Sequence, residues 1–188
     1  MSGKSPAKRL GLGYARRRQL MCIINSSDLT TTTDDVIGQR QIETATQMMK
    51  ILLAADGSAY TKRMLSYLEA HDQWFDPSHQ YTVFHGIAAL PHRAAAFADP
   101  GVIRKYYLDD AELVFRPIRR FMKRQGIEAI FVHRIGNPAE KIARLAEKGQ
   151  YDLLVMGSHG HGALRNLILG SVVTKVLAQC STPVLIIR

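Results

Sequence analysis

Gly157, Gly160 and Gly170, the last followed by Ser171, are the residues of this chain whose types and spacing best suit the holding of an anion. They read G-x-x-G, nine further residues, then G-S. Glycine takes positive φ without steric penalty and lets backbone N–H groups approach a ligand that any Cβ would keep away. The apolar residues Val172, Val173, Val176 and Leu177 then recur at helical spacing, so Ser171 is expected at a helix N-cap. A helix start offers unpaired N–H groups and partial positive charge to a phosphate. Taken alone the pattern has a plainer reading, because glycines at a strand end also serve as turn residues.

The elements that must position this turn alternate along the chain. The pattern predicts strands at 49–55, about 81–88, about 127–134, 151–156 and 183–187. Between them it predicts helices over about 58–70, 104–125, 138–148 and 171–180. The strand before the turn, Leu153 to Met156, is apolar without interruption, as a parallel strand covered on both faces should be. Alternating strands and helices imply an α/β fold, Rossmann-like, with an open parallel sheet, helices on both faces and right-handed crossovers. In such a sheet ligands bind at the carboxyl ends of the strands, where the strand order reverses. Asp56-Gly57-Ser58 ends the first strand, His85-Gly86 the second, and the glycine turn the fourth. An acid, two close backbone approaches and an anion cradle fit a nucleotide better than a simple anion. Residues 89–103, with Pro91, Pro100, Gly101 and the small run Ala94 to Ala96, read as an irregular insertion long enough to cover a ligand.

Other chemistries find less support. The chain has no G-x-x-x-x-G-K-[ST], and the turn after the first strand has a single glycine instead of a dinucleotide fingerprint. A P-loop NTPase and hydride transfer are therefore disfavoured. His159 and His161 alone are a weak metal signal, so no metal site is expected. Cys22 and Cys180 stand far apart in unlike contexts, which suits a reducing compartment such as the cytoplasm. No run approaches the roughly 18 apolar residues that a membrane span needs.

The net charge of +9 is unevenly placed. Lys4, Lys8, Arg9, Arg16, Arg17 and Arg18 stand in the first twenty residues without an acid, whereas Arg40 faces Asp28, Asp34, Asp35 and Glu43 over 21–47. Residues 1–47 show no sustained period and are expected to be a disordered basic extension, with the domain over 48–188. The extension lacks the apolar region of a secretory signal; a targeting peptide or an upstream start ahead of Met48 both fit. A solvated basic surface is the expected reading of its charge. Nucleic-acid binding through Arg16 to Arg18 is the rival, and it predicts steeply salt-dependent affinity.

Three motifs in order resemble the universal stress proteins. Met49-Lys-Ile-Leu-Leu-Ala-Ala-Asp-Gly-Ser58 is similar to their opening, and Thr182-Pro-Val-Leu-Ile-Ile-Arg188 to their last strand. Asp152-Leu-Leu-Val-Met-Gly-Ser-His-Gly160 with Leu169-Gly-Ser-Val172 is similar to the loop of their ATP-binding branch. The resemblance covers 49–188 and implies a five-stranded sheet of order 3-2-1-4-5, a homodimer, and ATP as ligand, with or without Mg2+. It places Asp56 at the ribose or base end beside Ala54, although Asp56 also suits an Asx-turn or a helix cap. By the same resemblance Met156 and Gly157 line the base and ribose. His159, Gly160, Gly170, Ser171 and Val172 lie along the phosphates.

Two positions depart from the family pattern. Gly86 stands where valine is frequent against the base, which implies a looser contact. Val173 stands where serine or threonine is common, which removes a hydroxyl worth about 1.5–3 kcal/mol. Thr174 points about 100° away on a helix and is a poor substitute, while Arg165 could approach a phosphate. The apolar final strand, Val184 to Ile187, is expected to pair with a second copy. Together these imply a cytoplasmic, dimeric, nucleotide-responsive regulatory module in stress response. The alternative is a slow ATPase or phosphotransferase using the same loop, for which no Walker lysine or paired carboxylates are evident.

Overall fold

The computed structural model describes residues 21–24, 48–91, 93, 96–162 and 168–188. Six strands form one parallel sheet: β1 (Met21–Ile24), β2 (Lys50–Ala54), β3 (Gln80–Ile87), β4 (Ala129–Ile135), β5 (Leu153–Gly157) and β6 (Val184–Ile187). The helices are α1 (Ala59–Ala70), α2 (Pro100–Arg124), α3 (Pro138–Lys148) and α4 (Ser171–Gln179). The order across the sheet is β1-β6-β5-β2-β3-β4. Its last five members are the predicted strands in the predicted order 3-2-1-4-5, read from the other side.

Period-two alternation splits the central strands between two cores. Ile51, Leu53, Val83 and Val155 face α1 and α2, while Leu52, Phe84, Leu154 and Met156 face α3 and α4. On α1 the buried residues Thr61, Met64, Leu65 and Leu68 keep the spacing of one helical face. Ser58 caps that helix by accepting from the Tyr60 N–H at 3.2 Å.

Three features differ from expectation. The long helix α2 starts at Pro100, inside the predicted insertion, because Asp99 caps it by accepting from Gly101 and Val102 and proline suits a first helical turn. The helix α4 is capped by Gly170 instead of Ser171, and no side chain closes its first turn. Third, Met21–Ile24, a stretch given no role in the sequence, pairs in parallel with β6. The final strand is thus flanked on both sides, by β5 and β1, and has no open edge for a second copy. A strand so apolar satisfies its backbone groups wherever a partner lies, and one is supplied by the same chain. Residues 1–20 and 25–47 lie outside the described residues, as does Arg165. No helix among the described residues is long and apolar enough to cross a membrane.

Candidate functional site

The pairing of β2 with β3 and β5 fixes the floor of a cavity of about 430 Å³ at the carboxyl ends of the strands. In register, Ala54 stands between Phe84 on β3 and Met156 on β5. The small central residue leaves a hollow that its larger neighbours wall. From β2 the chain leaves towards β3, and from β5 towards β6 on the other side, so the strand order reverses here.

The structure brings all eleven sequence-predicted site residues to this cavity: Ala54, Asp56 and Gly86, then Met156, Gly157, His159 and Gly160, and finally Gly170, Ser171, Val172 and Val173. None of the described residues of the insertion over 89–103 lines it. Leu90 is instead tied down, its N–H donating to the Tyr107 hydroxyl at 2.8 Å.

Asp56 combines two of the roles open to it. Its Oδ1 accepts from the Ser58 N–H and from the Thr61 hydroxyl, each at 2.9 Å, which closes an Asx-turn. The Thr61 Oγ1 in turn accepts from the N–H groups of Asp56 and Gly57. The other carboxylate oxygen, Oδ2, faces Gly160 so closely that a Cβ there would lie 2.5 Å away. His161 Nε2 donates to the Asp56 carbonyl at 2.8 Å, which ties the glycine turn to the end of β2. The carboxylate is therefore held rigid and turned towards the cavity.

The far side of the turn is set by main chain. Ser158 N–H donates to Ile187 O at 2.7 Å, and Gly170 N–H donates to Ser158 O at 2.8 Å. These bonds seat the start of α4 against the end of β5. No side chain caps the first turn of α4, and its residues Ser171, Val172 and Val173 line the cavity. The Thr174 hydroxyl donates to Gly170 O at 3.1 Å, so it serves the helix and adds no donor to the cavity. Val173 is almost wholly buried and presents methyl groups where a hydroxyl was absent in the sequence.

At the opposite end the walls are side chains. Phe84, Pro138, Ile142 and Met156 line it. A Cβ on Gly86 would sit 2.9 Å from Pro138 Cβ and 3.0 Å from its Cα, so the space that valine would fill is already taken by the proline. The looser contact expected at Gly86 is met by this different wall. Thr61, Phe84, Pro138, Ile142 and His161 were missed in the sequence. Asn137-Pro138 directly after the third predicted strand was the available signal, since every loop at that end of the sheet faces the crevice.

Charge at the cavity is sparse. Among its described lining residues Asp56 is the sole carboxylate and none is lysine or arginine. Arg63 stands just outside, stacked on Tyr60 at 4.9 Å, and Tyr60 in turn lies 5.1 Å from the His159 ring. Buried His85 faces away from the cavity, with Nδ1 2.9 Å from Ala55 O and Nε2 3.2 Å from Asp110 Oδ2. It braces the end of β2 against α2.

Comparison with known proteins places this architecture. The sequence model of the universal stress protein family matches residues 48–188. A universal stress protein of Thermus aquaticus is 33% identical over 139 residues, which cover 73% of this chain and 97% of the relative. The universal stress protein Slr1230 of Synechocystis is 32% identical over 154 residues, 81% of this chain. The chain spans only 46% of that longer relative. A solved universal stress protein family protein from Arabidopsis thaliana with AMP bound shares the fold, with a TM-score of 0.54 at 17% identity over 74% of this chain and 92% of its own. Residues 48–188 carry the family's sequence pattern on its sheet order, and the chain belongs to the universal stress protein family.

Proposed function

We propose that the chain is an adenine-nucleotide-binding, nucleotide-responsive regulatory module of the cytoplasm, with ATP as its ligand. The observation that carries this reading is the meeting, in one cavity, of a fixed carboxylate, a glycine turn and an uncapped helix start. The base would lie against Phe84, Pro138 and Met156, the ribose hydroxyls would bond Asp56 Oδ2, and the phosphates would take main-chain donors at Gly160 and Ser171, with Gly170, whose N–H is given to Ser158 O, allowing their close approach. The binding of AMP by the Arabidopsis neighbour supports the choice of base. Mg2+ would arrive on the phosphate oxygens, because Asp56 is the sole carboxylate among the described lining residues. The same scarcity favours a binder over a phosphoryl-transfer enzyme, which needs a placed base and concentrated positive charge.

The test is mass spectrometry of small molecules released from purified protein, followed by thermal melts with ATP, AMP and adenosine. Ligand at about 100 times its Kd should stabilise by about 2.7 kcal/mol. Protein that carries no adenine compound and melts at the same temperature in millimolar ATP would exclude the reading. Phosphate release faster than about 1 per second would assign an enzyme instead.

A further inference from the structure

A strand has two hydrogen-bonding sides, and β6 uses both within this chain. β5 takes one; β1 takes the other, in the register Met21 to Val184, Cys22 to Leu185, Ile23 to Ile186 and Ile24 to Ile187. The two faces of β6 are also covered. Leu185 and Ile187 belong to the core against α1 and α2, and Val184 and Ile186 to the core against α3 and α4. Without β1 the one part of β6 left open would be its backbone edge, four apolar residues long and without a charge.

The opposite margin of the sheet is built differently. β4 carries His133 and Arg134, and its residues are half-buried or exposed. Charge on an edge strand discourages edge-to-edge pairing, and β6 has no such protection of its own. Its apolar run is the composition of a strand meant to be paired.

We propose that Met21–Ile24 is an intramolecular cap on a self-association edge. With β1 in place the chain is monomeric. When β1 leaves, β6 pairs with β6 of a second copy, antiparallel across a twofold axis, and two five-stranded sheets become one. Twenty-three residues join β1 to Met48, a length that reaches up to about 80 Å when extended, so the geometry lets β1 return to its own sheet. A tethered strand competes at an effective concentration of millimolar order, which a second copy at micromolar concentration does not match. The expected homodimer through the C-terminal strand therefore depends on displacement of residues 21–24.

The experiment compares the full chain with its Cys22→Pro/Ile23→Pro variant. Of two consecutive strand residues one directs its N–H to the neighbour, so the double substitution removes that donor whichever it is. Light-scattering mass at micromolar concentration should be 21.0 kDa for the unmodified chain and twice that for the variant, with helical circular dichroism retained. A dimer that the substitutions dissociate would mean that β1 is exchanged between copies, and equal masses would mean that β1 governs no association. Either result overturns the proposal. Amide hydrogen exchange on the unmodified monomer gives an answer even if the variant does not fold: residues 21–24 and 184–187 should be protected together. Exchange of 21–24 at the rate of an unstructured peptide would overturn the cap. Mass and amide exchange are read without nucleotide, so their outcome is separate from that of the binding tests.

Discussion

At the β3 end of the cavity the walls are side chains locked into the core, Phe84 and Met156 among them, whereas at the α4 end the glycines Gly157, Gly160 and Gly170 bring main chain to the wall beside Ser171, Val172 and Val173. Phe84, Ile142 and Met156 come from β3, α3 and β5 and are placed by core packing that would exist without any ligand, and Pro138 of α3 stands against Gly86. The glycine turn between β5 and α4 is tied at its ends by two main-chain hydrogen bonds, Ser158 to Ile187 and Gly170 to Ser158, and to β2 by the His161 side chain. The first end offers shape and little polarity. The second offers donors and little shape. A ligand that needs both must be flat and apolar at one end and anionic at the other, which is the chemistry of a nucleotide.

The largest expected effect comes from Gly170→Val. A Cβ there meets His159 Cα at 3.2 Å and Ser158 O at 3.3 Å, so the branched side chain must push the turn from α4 and crowd the phosphate donors. Calorimetry should show about two decades of lost affinity for ATP, about 2.7 kcal/mol, with adenosine little changed. Equal loss for ATP and adenosine would mean that the two ends do not act separately.

Gly86→Val tests the other end. Its side chain meets Pro138 below normal contact distance, and overpacking of this kind costs about 1–3 kcal/mol. For a chain of this size the melting temperature should fall by about 2–4 °C per kcal/mol. Affinity should drop by the same factor for ATP, AMP and adenosine, since all carry the base. A drop confined to ATP would reverse the orientation proposed.

Val173→Thr should strengthen the polar end. A hydroxyl in the first turn of α4 adds a donor to charged phosphate, worth about 1.5–3 kcal/mol, so ATP affinity should rise by a decade or more while adenosine affinity stays. Unchanged ATP affinity would show that the buried Val173 position does not reach the phosphates.

Glu147→Gln, outside both ends, should have the smallest effect. Ser181 donates from its hydroxyl and its N–H to Glu147, which holds that carboxyl below the usual range. A carboxylate depressed in the folded state stabilises above its unfolded pKa, and that stability is lost as pH falls through the folded value. The group is largely solvated, so a few tenths of a kcal/mol are expected. Thermal melts between neutral and acid pH should show a shallower acid-side loss in the variant, with nucleotide affinity unaltered.

The two ends also differed in how far they could be read from residues alone. The glycine turn was legible because its signal is local: the absence of side chains at fixed spacing, between an apolar strand and a helical pattern, can be read within a few residues. The apolar end was only half legible. Ala54, Gly86 and Met156 were found, but Phe84 and Ile142 look like any core residue in sequence, and Thr61 like any first-turn threonine. Nothing local told that Pro138 would stand against Gly86.

The sequence by itself determined the alternation of strands and helices, the five-strand order that its family pattern carries, and the turn that faces the crevice. These follow from hydrophobic period and from glycine and proline, which act on the nearest neighbours in the chain. Only the tertiary structure decided that Asp56 is split between an Asx-turn and the cavity, that Gly170 and not Ser171 ends the turn, and that Met21–Ile24 closes the side of β6. The approach of Asp56 to Gly160, the bond of Gly170 to Ser158 and the pairing of Met21 with Val184 join groups 12 to 163 residues apart in the chain, and contacts at that separation are set by the packing of the whole sheet.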